Sequence, residues 1–355
     1  MADDRARKSE APPVPLSGMT LDELRNWMRE LGEKPFRAAQ IHRAVHVEAR
    51  LDPEQMTNLP TALRTKIAEA APTATTEVEV QTSDDGTAKF LLGLHDGTRI
   101  ETVLIPEGKR KTVCVSSQVG CPIGCIFCAS GVGGVVRNLT AAEMVEQVLR
   151  VQAHIGQRPT NIVVMGMGEP MLNLPNLTQA IRVWQDRDGM GFSPRRITVS
   201  TAGVPVKVDQ LAEMDLGVHI AISLHAADDE TRGVLVPGSP EGRTKGLLEA
   251  AARYARKTGR DATVEYVLIA GINDKPEHAD TLAGLVRGRH IHVNLIPLNP
   301  VAHRPDLHAP SLTTSREFAR RLEEGGASVT LRTQRGDDIA AACGQLALER
   351  ALAGK

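Results

Sequence analysis

From residue 112 onward, short apolar runs rich in β-branched residues alternate with amphipathic helical segments. The runs that predict strands are 112–116, 161–165, 196–200, 219–223, 263–268, 292–296 and a last one at 328–332. The segments that predict helices lie near 140–154, 175–187, 205–214, 243–257, 276–287 and 313–324. Strands that are separated by helices pair in parallel, so the first six runs predict an α/β protein with a parallel sheet, flat or rolled into a barrel.

Polar or flexible residues follow each of these six predicted strands. Parallel barrels build their active sites at the carboxyl ends of the strands, so this pattern favours a partial (β/α)6 barrel with one active mouth. The candidate pocket residues at these ends are Gly168, Glu169, Ser200, Ser223, Leu224, His225 and Asn299. Each has an alternative role as a turn former or a helix cap, and only their shared position favours a pocket.

The rest of the chain divides around this barrel. Thr20 and Glu23 form a capping-box pattern ahead of helical periodicity, whereas alternating residues and two Asp-Gly turns before residue 112 predict hairpins. The predicted parts are a disordered tail (1–17), a helical accessory domain (18–72), a β-hairpin bridge (73–111), the barrel (112–335) and a C-terminal segment (336–355).

Composition limits the location and the partners. Apolar residues make up 41% of the 355 positions, yet no run approaches a membrane span, and the charged N-terminus lacks the apolar stretch of a signal peptide. We therefore expect a cytoplasmic protein, in which five cysteines favour metal ligation or chemistry over disulfides. A net charge of −1 does not favour nucleic-acid binding, so any RNA contact needs a local basic patch such as residues 109–111.

Three of the cysteines lie close together in a loop, at Cys121, Cys125 and Cys128. A structural zinc ion normally takes four protein ligands, whereas a cubane iron–sulfur cluster held by three cysteines leaves one iron open for a substrate. The alternative is a zinc site that borrows a remote ligand such as Cys343.

This spacing, with Phe127 directly before the last cysteine, resembles the signature of radical S-adenosylmethionine enzymes, which share a partial six-unit barrel. Across residues 18–348, further motifs are similar to the RlmN/Cfr family of radical methyltransferases, and they begin at Glu101, Cys114, Gly166, Ile222 and Arg335. The resemblance implies a [4Fe-4S] cluster and two molecules of S-adenosylmethionine per turnover, one as methyl donor and one as radical source. It also implies that the pocket residues bind S-adenosylmethionine, with Gly168 and Glu169 near its ammonium group and Asn299 near its adenosine.

Resemblance to the RlmN branch implies a methyltransferase that makes 2-methyladenosine in 23S rRNA (adenosine 2503) and tRNA (adenosine 37). Adenine C2 is electron-poor, so the methyl group must first be carried by a thiolate and then activated as a radical. By this resemblance Cys343 accepts the methyl group, Cys114 releases the product by forming a protein disulfide, and Glu101 accepts the proton. Taken singly, these residues are also compatible with a core cysteine, a small buried hydrophobe and a solvated strand residue.

The resemblance implies 23S rRNA, tRNA and a reducing protein such as flavodoxin or a ferredoxin as partners. We expect the protein to be a monomer that does not associate with membranes. Two other functions stay open from the sequence. One is a Cfr-like methyltransferase that modifies adenine C8 in 23S rRNA, and the other is a non-catalytic, zinc-bound RNA-binding protein.

Overall fold

The computed structural model describes residues 15–239, 243–332 and 335–346. The predicted tail therefore lies largely outside the described residues, but its predicted end at residue 17 is wrong. Leu16 and Ser17 are buried in a short 3-10 helix, Leu16–Gly18, because Leu16 joins the main core and the Ser17 hydroxyl donates to Glu146.

The described elements follow the predicted alternation closely. The helices are α1 Leu21–Glu30, α2 Arg37–His42, α3 Thr61–Ala70, α4 Ala141–Ile155, α5 Leu174–Gln185, α6 Pro205–Glu213, α7 Asp229–Leu235, α8 Thr244–Thr258, α9 Pro276–Val286 and α10 Leu312–Glu324. The strands are β1 Thr75–Thr82, β2 Ala88–Leu94, β3 Arg99–Glu107, β4 Arg110–Cys114, β5 Gln118–Gly120, β6 Val135–Asn138, β7 Asn161–Val164, β8 Ile197–Thr201, β9 His219–Ser223, β10 Ala262–Leu268, β11 Ile291–Pro297 and β12 Ser328–Leu331. Sequence periodicity did not reveal α7, β5 or β6, because each is short.

One mixed sheet organises the described part of the chain, in the order β1-β2-β3-β4-β7-β8-β9-β10-β11-β12. The strands from β4 to β12 along this order pair in parallel, as the prediction of a partial barrel requires. The strands β1, β2 and β3 pair antiparallel and join the barrel through β4. The predicted hairpin bridge is therefore an extension of the barrel sheet.

The N-terminal helices pack on the barrel through a shared core. The capping box predicted at the start of α1 is present, since the backbone N–H of Thr20 donates to the Glu23 carboxylate at 2.7 Å. Met28 of α1 and Ile41 of α2 are fully buried in the same apolar cluster as Trp184 of α5. Among the described residues, no helix has the length and apolar character needed to span a membrane.

A buried carboxylate ties the helical domain to the sheet. Glu146 of α4 accepts hydrogen bonds, each 2.8 Å long, from the Ser17 hydroxyl, from the backbone N–H groups of Ala74 and Thr75, and from the Thr75 hydroxyl. These donors belong to the segments that enter and leave the helical domain. Glu146 therefore fixes both ends of that domain on one helix of the barrel.

We predict that Glu146→Ala lowers the free energy of unfolding by about 3 kcal/mol, because it leaves two buried backbone N–H groups without acceptors. Chemical denaturation measures this change. Glu69→Ala on the exposed side of α3 is the matched control and should change stability by less than about 0.5 kcal/mol. An unchanged denaturation midpoint for Glu146→Ala would show that these hydrogen bonds contribute nothing to stability.

Candidate active site

The cysteine loop follows β5 and is shaped by left-handed glycines. Gly120 and Gly124 adopt φ values of 76° and 62°, which side chains with a Cβ rarely adopt. The backbone N–H of Cys128 donates to the Cys125 carbonyl at 3.0 Å. The loop thus curls so that Cys121, Cys125 and Cys128 are all half-buried along one wall of a small apolar cluster.

The electrostatics of this loop suit metal ligation. Desolvation raises the pKa of Cys121 to about 12 and raises that of Cys125 well above its usual range, so free thiols here stay protonated and inert. Neighbouring thiols raise the pKa of Cys125 as well, while the nearby Arg232 guanidinium lowers it. Metal binding would replace those protons, and a cation beside the loop would favour the anionic thiolates.

The spacing of the three thiols bears on which kind of metal centre the loop would hold. Among the residues that the structure describes, no group of three Cys, His, Asp or Glu side chains is arranged to hold one metal ion. A zinc ion needs its ligands gathered on one centre, whereas a cubane cluster offers each cysteine a different iron. The three half-buried thiols against an apolar wall therefore fit a cluster.

Sheet register brings the polar residues of the barrel onto one inner face. Glu265 of β10 pairs with Ser223 of β9 and with Asn294 of β11, and residues paired across strands point to the same face. The hydroxyl oxygens of Ser200 and Ser223 lie 3.0 Å apart, and the Asn294 amide donates to the Glu265 carboxylate at 2.9 Å. Both predicted serines thus line the mouth. Sequence reasoning missed Glu265 and Asn294, although a charge inside the apolar run of β10 was a usable signal.

Of the pocket residues predicted after β7, Glu169 holds neighbouring loops together through hydrogen bonds. The Glu169 carboxylate is buried and accepts from the Thr201 hydroxyl at 2.8 Å and from the backbone N–H groups of Met171 and Ala202 at 2.9 and 2.7 Å. A carboxylate has about four acceptor positions, so roughly one is left for a ligand. Gly168 has φ of 105°, and a Cβ there would lie 2.7 Å from the backbone nitrogen of Gln118.

At the end of β9, the imidazole of His225 is buried and neutral. Its Nδ1 accepts from the Val267 N–H at 3.1 Å, and desolvation lowers its pKa to about 3. The ring packs edge-to-face on Phe127, the aromatic residue of the cysteine loop, at 4.8 Å. His225 therefore supports the loop from the pocket side, while the buried Leu224 has only its backbone to offer a ligand.

The C-terminal segment passes over the mouth and carries Cys343. The Gly344 carbonyl accepts from the Ala129 N–H at 2.7 Å, and the Cys343 carbonyl accepts from the Asn299 amide at 2.8 Å. The Ser130 hydroxyl donates to a further carbonyl of the segment at 2.6 Å. The predicted pocket residue Asn299 therefore also positions the Cys343 backbone. Its Oδ1 is buried without a partner in the described structure, so one acceptor remains for a ligand.

Cys343 and Cys114 are brought near one another. Cys114 is buried at the end of β4, where desolvation and the nearby Cys343 raise the pKa of its thiol to about 12. Cys343 is exposed as a residue, whereas desolvation of its thiol and the nearby Cys128 raise the pKa of that thiol to about 12. The Arg332 guanidinium lowers both pKa values, and both thiols are free. Sequence reasoning missed Arg332.

Glu101 lies on the same face of the sheet as Cys114. Val103 of β3 pairs with Cys114, and Glu101 stands two residues before Val103. Its carboxylate is buried and lies 3.3 Å from the ammonium of Lys89, which sequence reasoning also missed. The arrangement excludes the alternative of a solvated strand residue for Glu101.

The basic cluster at residues 109–111 lies far from the mouth of the barrel. Arg110 begins β4 and Cys114 ends it, so the cluster lies about 13 Å away along the strand, at the opposite end of the barrel. This position makes the cluster a poor candidate for contacting a substrate that must reach the thiols.

Comparison with known proteins adds to this geometry. The sequence model of the radical SAM superfamily matches residues 115–283, and that of the ribosomal RNA large subunit methyltransferase N-terminal domain matches residues 14–72. A radical SAM methyltransferase from Sphaerobacter thermophilus has the same fold, with a TM-score of 0.92 and 44% identity over 95% of this chain and 100% of that one.

Among curated proteins, the probable dual-specificity RNA methyltransferase RlmN of Rhodopirellula baltica is 47% identical over 94% of this chain and 91% of its own length. The dual-specificity RNA methyltransferase RlmN of Marinobacter nauticus is 44% identical over 95% of this chain and 93% of its own. Radical SAM membership implies a [4Fe-4S] cluster and S-adenosylmethionine as cofactors, and the three loop thiols fit the cluster. The chain belongs to the RlmN family of radical SAM methyltransferases.

Proposed function

We propose that this protein methylates C2 of adenosine in 23S rRNA and in tRNA by way of an S-methylcysteine at Cys343. The single observation that carries the proposal is the gathering of Cys343 and Cys114 at a mouth walled by the cysteine loop. Family membership supports RNA as the substrate, since the curated relatives are named dual-specificity RNA methyltransferases. The two thiols support the choice of an electron-poor carbon as the target.

Cys121, Cys125 and Cys128 would hold the cluster. When bound, the cluster and S-adenosylmethionine supply the methyl group and the radical that activates it. Around that site Gly168 permits close backbone approach, and the ends of β8, β9 and β11 offer Ser200, Ser223, the Leu224 backbone, His225 and Asn299. This placement supports the pocket that the sequence predicted.

The two further cysteines divide the handling of the methyl group. The Cys343 sulfur, once deprotonated, attacks the methyl carbon of S-adenosylmethionine, so an S–C bond forms as S-adenosylhomocysteine leaves. The activated carbon then joins Cys343 to adenine C2. The adduct returns one electron to the reducing system. Attack of Cys114 on the Cys343 sulfur then forms a disulfide and breaks the bond between Cys343 and that carbon, whose electron pair takes up a proton to complete the methyl group on the base.

Glu101 would accept the proton from adenine C2. Its carboxylate is buried and lies 3.3 Å from the Lys89 ammonium, and a carboxylate is a suitable general base. It shares a sheet face with Cys114, so base and resolving thiol approach the adduct from the same wall.

The reaction also needs partners that lie outside the chain. We infer a small reducing protein such as flavodoxin or a ferredoxin as the electron donor, and a cytoplasmic location for a monomer whose thiols must be reduced after each turnover. The helical accessory domain is the better candidate for RNA contact, because the basic cluster at 109–111 lies at the wrong end of β4.

Nucleoside analysis tests the proposal. RNA from cells that lack the natural enzyme, incubated with the reconstituted protein and reductant, should yield 2-methyladenosine in both 23S rRNA and tRNA after digestion and mass spectrometry. Detection of 8-methyladenosine would assign the Cfr-like reaction instead. Absence of any methyladenosine from a protein with full iron and sulfide content would contradict the proposal.

We predict that Cys114→Ala stalls the reaction with RNA covalently attached to protein, because the thiol that releases Cys343 is missing. Gel analysis under denaturing conditions should show the adduct, and peptide mass spectrometry should locate it at Cys343. The matched control, Cys343→Ala, should form neither adduct nor product. Normal turnover by Cys114→Ala would contradict the role of Cys114.

A further inference from the structure

Lys89 carries a buried charge in the wall of the mouth. It lies in β2 beside apolar neighbours such as Phe90 and Leu92, and only 5% of its surface is exposed. Lys89 pairs with Val103, which pairs with Cys114, so all three side chains point to one face of the sheet. Burying an ammonium is costly unless partners compensate, so its contacts indicate why it is there.

The ammonium of Lys89 contacts two groups that belong to different parts of the candidate active site. Its Nζ lies 3.3 Å from Oε1 of Glu101 and donates to the carbonyl of Ala340 at 3.2 Å. Ala340 stands three residues before Cys343 and has φ of 49°, a left-handed conformation that is unfavourable for a residue with a Cβ. One cation therefore joins the proposed proton acceptor to a strained turn of the segment that carries the methyl acceptor.

The other contacts of this segment lie on both sides of Ala340. Before it, Arg335 donates to the carbonyl of Pro106 in β3, and the Gly336 N–H donates to the Asp85 carboxylate, both at 3.1 Å. After it, the hydrogen bonds at Cys343, Gly344 and beyond come from the end of β11 and from the cysteine loop. Loss of Lys89 would leave the segment attached on both sides but would remove the link between Ala340 and Glu101.

We propose that Lys89 is a positioning residue, which holds Glu101 at a fixed place relative to the carbon tethered to Cys343. To remove the proton from adenine C2, Glu101 must lie within hydrogen-bond reach of it. A misplacement of about 1 Å costs on the order of a hundredfold in rate. The Lys89 ammonium contacts both the Glu101 carboxylate and the Ala340 carbonyl, so it fixes the distance between them.

This inference rests on the proposed function, and it concerns only the late steps. Lys89→Met should retain the iron content and the S-methylation of Cys343 seen in the wild type, because the segment keeps its contacts to Asn299 and the cysteine loop. The formation of 2-methyladenosine should fall by about tenfold or more, with the covalent RNA adduct accumulating, as expected for a disabled general base. Lys89→Arg should restore product formation above the Lys89→Met level.

Two further variants separate positioning from a purely structural effect. Lys257→Met, which removes an exposed ion pair with Glu213 on the outer helices, is the matched control and should behave as the wild type. If Lys89 acts through Glu101, then Lys89→Met should add no further loss in a Glu101→Gln background, because the two effects share one step.

The outcomes are distinct. Wild-type turnover in Lys89→Met, or a parallel loss of S-methylation and thermal stability without adduct, overturns the inference and leaves the proposed function intact. An independent, additive loss in the Glu101→Gln background also overturns it. Failure of the wild-type protein itself to make 2-methyladenosine would instead contradict the proposed function.

Discussion

The backbone of the C-terminal segment is bound by several separate parts of the fold, and the proposed chemistry depends on that attachment. The cysteine loop donates to Gly344, the end of β11 donates to Cys343 through Asn299, and β2 donates to Ala340 through Lys89. A thiol on an unattached tail would lose much conformational entropy each time it approached the mouth. Here that entropy is lost on folding, so Cys343 is already placed when cofactor and RNA arrive.

The barrel makes these attachments possible because its strand ends meet at one rim. Parallel pairing from β4 to β12 brings Cys114, Ser200 and Ser223 to the same edge although they are far apart in sequence. The antiparallel strands β2 and β3 extend that edge and add Lys89 and Glu101. The hairpin strands are thus part of the active-site wall as well as a connection between domains.

Much of this organisation could be predicted from sequence. The helix and strand alternation, the capping box at Thr20 and the cysteine spacing are local signals, and each corresponds to an element of the structure. Lys89, Arg332 and Asn294 could not be predicted, because their importance comes from register between strands, which no local pattern specifies. Residues 109–111 are near Cys114 along the chain, but they lie at the opposite end of β4 from it.

The central claim is that the methyl group passes through Cys343 before it reaches RNA. The most direct measurement is peptide mass spectrometry of reconstituted protein after incubation with S-adenosylmethionine that carries a deuterated methyl group, in the absence of RNA. The account predicts one labelled methyl group, located on Cys343, and its transfer to adenosine when RNA and reductant are added. Label on Cys114, or labelled RNA formed without any label at Cys343, would contradict the account.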